Sequence, residues 1–142
     1  MNEEFMKRLL SMMGCIAMMS ALVSCAADAA STTNCPPAAP LMDQTGWEPG
    51  VAQYSARREG NTITVSARGQ NSTAGYQVQL AREPMKNFPP QFALYRKRPA
   101  GITAQVITPF SVCTTFKAGT PVDFVTVRDS KGSHQVEVKQ GQ

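Results

Sequence analysis

From residue 51 onward, several stretches of this chain place apolar residues at every second position, while Val122, Phe124, Val125 and Val127 mix the two sides. Ile63, Val65 and Ala67 share one side, as do Tyr76, Val78 and Leu80, and Val136 and Val138 alternate with Gln135, Glu137 and Lys139. Successive side chains of an extended chain point to opposite faces, so this spacing makes strands with one dry and one wet side. No stretch carries a convincing 3.6-residue period of an amphipathic helix. Further strands are expected at Val51 to Arg57, Phe92 to Arg98, Val122 to Arg128 and Thr103 to Phe116. Pro109 interrupts the last of these, which marks a bulge, an edge position or a crossing between sheets. Turns are expected at Arg58-Glu59-Gly60-Asn61 and Asp129-Ser130-Lys131-Gly132, each with glycine where a positive φ is easiest. About seven short strands in roughly 95 residues predict an all-β domain, an antiparallel Ig-like β-sandwich or a small barrel. Trp47, just ahead of the first strand, is expected to cap its core.

The N-terminal part reads differently. Leu9 to Val23 is an apolar run of 15 residues behind Lys7 and Arg8, short for a bilayer span and typical of a signal-peptide core. Glu3 and Glu4 fit the basic flank poorly, which leaves Met6 as an alternative start to Met1. Leu22-Val23-Ser24-Cys25 at its end resembles the lipobox of bacterial lipoproteins. That resemblance implies cleavage before Cys25, a diacylglycerol on its sulfur and a membrane anchor through the N-terminal lipid. Ala26, where an inner-membrane retention signal would have Asp, implies the outer membrane facing the periplasm. Cleavage after Ala27-Asp28-Ala29, which would release a soluble periplasmic or secreted protein, stays open. The expected organisation is a signal peptide over 1–24, an extended, mobile tether over 25–40 and a β domain over 41–142.

With Cys15 removed and Cys25 acylated, Cys35 and Cys113 remain, 78 positions apart. In an oxidising envelope such a pair most simply forms a disulfide that pins the tether to the sheet. Beyond Cys25 the chain carries 12 Lys and Arg against 8 Asp and Glu. The densest cluster, Arg96-Lys97-Arg98 after Tyr95, suits a solvated strand edge or anionic lipid headgroups; nucleic acid is a poor partner outside the cytoplasm. One histidine, His134, with no CxxC, HExxH or phosphate-binding glycine loop, argues against an enzyme and implies no metal or cofactor.

Asn71-Ser72-Thr73-Ala74-Gly75-Tyr76 is similar to the NPTTGY loop of chagasin-type cysteine protease inhibitors at Asn71, Thr73, Gly75 and Tyr76. It also resembles the TGGY segment in the C-terminal domain of PrcB protease-complex subunits. There a QVxTxP-like strand follows, as Gln105-Val106-Ile107-Thr108-Pro109 does here. Both resemblances imply a β-rich envelope or secreted protein with a binding loop at 71–76 and a protein partner, a protease or its associate. Ser72 stands where the chagasin loop has proline, Ala100 where its third motif has an aromatic residue, and no GxGG loop is present. The same stretch also reads as a plain strand connection, with Gly75 easing the turn and Tyr76 opening a strand. Two classes therefore stay open: a lipid-anchored binding module, and a structural or assembly lipoprotein without a loop ligand.

Overall fold

The computed structural model describes residues 34–141. The signal-peptide and Cys25 expectations lie outside the described residues. Both expected hairpin turns form. Gly60, at φ 58°, sits in the two-residue link between β2 (Gln53–Glu59) and β3 (Thr62–Asn71). Ser130 and Lys131 link β7 (Phe124–Asp129) to β8 (Gly132–Gln140), with Gly132 at φ 123°. The other strands are β1 (Trp47–Pro49), β4 (Gln77–Arg82), β5 (Gln91–Lys97) and β6 (Thr108–Lys117). The described chain is thus all-β, eight strands in one curled sheet.

The strand order is β1-β5-β7-β8-β2-β3-β6, with β4 on the other side of β5. Two departures from the sequence expectation stand out. β1 is an eighth strand of three residues, too short for alternation to reveal. The sheet is also mixed: β2 with β8 and β5 with β7 run parallel. Strand alternation is the same for either pairing sense, so the sequence pattern is silent on this point. β8 changes neighbours along its length, pairing β7 from Gly132 to Glu137 and β2 from Val138 to Gln140. That switch lets one sheet roll around one core.

The core takes the inward residues of nearly every strand: Ile63, Val65 and Ala67 from β3, Leu80, Phe92, Leu94, Phe116, Val125, Val127, Val136 and Val138. Phe92 and Phe116 meet with ring centroids 5.7 Å apart, joining the two limbs of the roll. Burying such a ring stabilises the fold by roughly 2–3 kcal/mol. Trp47 on β1 stays half-buried opposite Lys97 of β5 rather than entering this cluster.

The roll ends at β4 and β6, and the gap between them is filled at one end by residues 36–39. Thr115 N donates to Pro36 O at 2.9 Å, Ala38 N to Thr115 O at 2.7 Å, and Arg82 N to Ala39 O at 2.9 Å. Pro36 and Pro37 have no N–H, yet their carbonyls can accept; Pro36 O also receives the Thr114 hydroxyl at 3.1 Å. Cys35 is bonded to Cys113 with their Cα atoms 5.2 Å apart. This stretch, expected to be a mobile tether up to residue 40, is therefore wall of the fold from Pro36 onward.

Candidate functional site

The residues expected to bind a partner lie where β3 ends and β4 begins. Asn71 closes β3 opposite Thr108 and is 4% exposed, with its Oδ1 lacking any hydrogen-bond partner. Gly75 takes φ 84°, and a Cβ there would stand 3.1 Å from Pro99 Cβ. Glycine is thus required twice over, by backbone and by contact. Ala74 N reaches Ala104 O at 3.3 Å, so the turn leans on the 98–107 loop that joins β5 to β6. Among the described residues, neither Asn71 nor Thr73 makes a side-chain hydrogen bond within the loop. Shape comes from Gly75, Pro99 and that backbone contact instead.

Tyr76 is half-buried under Arg96, whose guanidinium carbon lies 5.2 Å from the ring centroid. Arg96 Nε is also 3.0 Å from Glu48 Oε1, an ion pair whose N–H is not aimed at the oxygen, so the nitrogen has no aligned acceptor. Arg98 Nε approaches the same carboxylate oxygen at 3.4 Å. The basic cluster is therefore not a bare strand edge: β5 has β4 on one side and β1 on the other at Tyr95 to Lys97. Arg98 alone of the two arginines keeps most of its side chain in solvent, at 71%.

The Gln105–Ile107 part of the expected strand is loop, and β6 starts only at Thr108. Pro109 lies in that strand opposite Gln70. Because β6 ends the strand order, Pro109 can turn its missing donor away from β3. Ile102, Val106 and Ile107 in the loop are exposed.

A second polar group was not visible to sequence reasoning. Asp129, buried at the start of the β7–β8 turn, accepts from Tyr54 Oη at 2.7 Å and Lys131 N at 2.7 Å. His134 Nε2 lies 2.9 Å from Oδ1, the oxygen that also takes the Lys131 N–H while Tyr54 uses Oδ2, and the Tyr54 and His134 rings are 5.5 Å apart. Burial alone would raise the Asp129 carboxyl, but the hydrogen bonds from Tyr54, His134 and Lys131 outweigh it and hold it below the usual carboxylate value. Burial, then the bond to Asp129, push the Tyr54 hydroxyl well above its ordinary value. The cluster borders a depression of about 470 Å³ lined by Tyr54, Ser55, His134, Gln135 and Glu137. It opens where β2 and β8 have not yet begun to pair, since their ladder covers only Ala56 to Arg58 of β2. A carboxylate opening a hairpin turn is a visible signal; its partner Tyr54, 75 positions earlier, is not.

No protein-family model, curated protein or solved structure matches this chain.

Proposed function

We propose that this chain is a lipid-anchored protein of the bacterial cell envelope, held at the outer membrane through Cys25, whose β body is a binding module. The partner is an envelope protein, a protease or a protein associated with one, and the contact is the turn Asn71–Tyr76. The observation that carries this reading is the buttressed turn itself: Gly75 at φ 84° packed on Pro99, with Ala74 N on Ala104 O. A turn held from outside offers its backbone N–H and C=O groups in one shape, which lowers the ordering cost of binding. The Cys35–Cys113 bond supports an oxidising compartment, where such bonds persist.

The test places a photo-crosslinking residue at Ser72, and separately at Lys131, in the full chain expressed in its own envelope. One defined adduct from position 72, lost on Gly75→Ala and absent from position 131, is expected. Equal adducts from both positions would remove the turn from the reading. Intact mass of the membrane-extracted product tests the anchor separately: a diacylglycerol on Cys25 is expected, and an unmodified N-terminus near Ala30 would replace it with a soluble protein.

A further inference from the structure

Ile102 is fully exposed at 105%, Ile107 at 67% and Val106 at 56%, all within one six-residue stretch of the β5–β6 loop. Single exposed aliphatic residues are ordinary; three on one loop whose backbone serves no sheet call for an occupant. Two further observations say what that occupant is. The first is the direction of the chain. Pro37 pairs parallel with Thr115, and Cys35 is bonded to Cys113, so residues 34–37 run the same way as β6. Asn34 therefore stands at the end of this segment that faces the Thr108 end of β6, the end that carries this loop. Cys25 lies 10 positions before Cys35, a reach of at most about 35 Å. The second is charge. Arg98 opens the loop with most of its side chain in water, Arg68 is exposed near the end of β3, and beyond Cys25 the chain has four more cations than anions, 12 against 8. Glu48 is the carboxylate facing Arg96 and Arg98, and it is shared between them.

We infer that the 98–107 loop is a second bilayer contact, with Ile102, Val106 and Ile107 entering the headgroup–acyl boundary of an anionic leaflet and Arg98 at its phosphates. The orientation rests on the proposed anchor at Cys25; the apolar loop does not. Three aliphatic side chains and a cation bind weakly alone, which suffices at the high effective concentration an anchored domain experiences. Aliphatic tips without an aromatic anchor suit a fluid surface better than the shaped pocket of a protein partner. Contact here would also fix the neighbouring 71–76 turn close to the membrane plane.

The experiment uses the full mature chain with an environment-sensitive fluorophore on Ile102→Cys, and on Gly119→Cys in the exposed β6–β7 loop as the distant control. Vesicles are phosphatidylethanolamine and phosphatidylglycerol at about seven to three, with and without nitroxide-labelled chains. Blue-shifted emission at position 102 that shallow nitroxides quench, with position 119 unchanged, is expected. Raised salt or Arg98→Glu should weaken the signal several-fold. Ile102→Asp, Val106→Asp and Ile107→Asp together should abolish vesicle flotation of unacylated protein while leaving its thermal midpoint unchanged. Unshifted emission at 102 in vesicle-bound protein overturns the inference, as does a shift produced only by vesicle-free envelope extract, which would assign the loop to a protein groove. Absence of diacylglycerol in the mass spectrum defeats the anchor alone, because flotation of the unacylated chain still reads the loop.

Discussion

Between β4 and β6 the roll is closed by main chain and a covalent bond, whereas the first halves of β2 and β8 are held together by three side chains. At the first gap, Pro36 and Ala38 bond Thr115, Ala39 bonds Arg82, and Cys35 is joined to Cys113. At the second, Asp129 gathers Tyr54, His134 and the Lys131 amide. A backbone-and-disulfide closure responds to reductant and ignores pH. A closure through a buried carboxylate does the reverse. The same architectural problem, a curled sheet with unpaired stretches, is thus solved twice by chemistry with different sensitivities.

Reduction should separate the two most clearly. The bond closes a loop of 78 positions, for which the chain-entropy relation gives about 4 kcal/mol. Urea unfolding of the oxidised chain against a Cys35→Ala, Cys113→Ala chain should show a loss of that order. A difference under about 1 kcal/mol would show that the backbone bonds at Thr115 close the gap unaided.

Asp129→Ala should come next, at about 3 kcal/mol, because it strands the Tyr54 hydroxyl and the Lys131 amide without their charged acceptor. Its effect should add to that of the cysteine substitutions, the two gaps sharing no partner. A coupling above roughly 0.5 kcal/mol would mean the closures act as one unit.

The same gap should carry the pH dependence. Asp129 titrates lower in the fold than in the unfolded chain, so the unfolded state binds the extra proton and stability rises with pH. Its contribution is complete above the ordinary carboxylate value of 3.8 and disappears as pH falls through the lowered one. Tyr54 is shifted the other way: its contribution is complete below 10.0 and is lost as pH rises further. Tyr54→Phe should cost about 1 kcal/mol near neutral pH, flatten the alkaline limb of the stability curve and, by removing one of the bonds that hold the Asp129 carboxyl low, make the acid limb shallower. Thermal midpoints across pH check both limbs. An unchanged alkaline limb in Tyr54→Phe would assign it to another group.

These two gaps also mark what the sequence could and could not disclose. Strands were legible because Ile63, Val65, Ala67, Val136 and Val138 alternate inward, and alternation is a local property of extended backbone. Gly60, Gly75 and Gly132 were legible as turns because positive φ favours glycine. Residues 36–39 were not, since Pro36-Pro37 composition reads as tether, while the carbonyls of Pro36 and Ala39 and the N–H of Ala38 make it a strand neighbour. Val106 and Ile107 look like core because apolar identity does not report exposure. At the 71–76 turn, Thr73 and Tyr76 sit half-buried as a strand connection would also leave them. Tyr54 shares its side of β2 with buried Ala56, and nothing local can tell that its hydroxyl meets Asp129.

The smallest effect probes how the covalent and backbone parts of the β4–β6 closure divide the task. Ala38→Pro removes the N–H that Thr115 O accepts at 2.7 Å, and the position already follows Pro37 in an extended run, so the local backbone tolerates the ring. With the disulfide intact, residues 36–39 stay tethered beside β6 and the loss should be about 1 kcal/mol. In the Cys35→Ala, Cys113→Ala background, the segment is held by its few hydrogen bonds alone, and removing one should let it detach. Local opening then replaces a single lost bond, and amide exchange at Thr115 and Arg82 should approach that of free loops while the β2–β3 hairpin stays protected. A larger stability cost for Ala38→Pro in the reduced background, seen as a non-additive cycle, means the disulfide serves chiefly to hold the segment for pairing. Equal costs in both backgrounds mean the segment pairs on its own and the bond acts only on the unfolded chain.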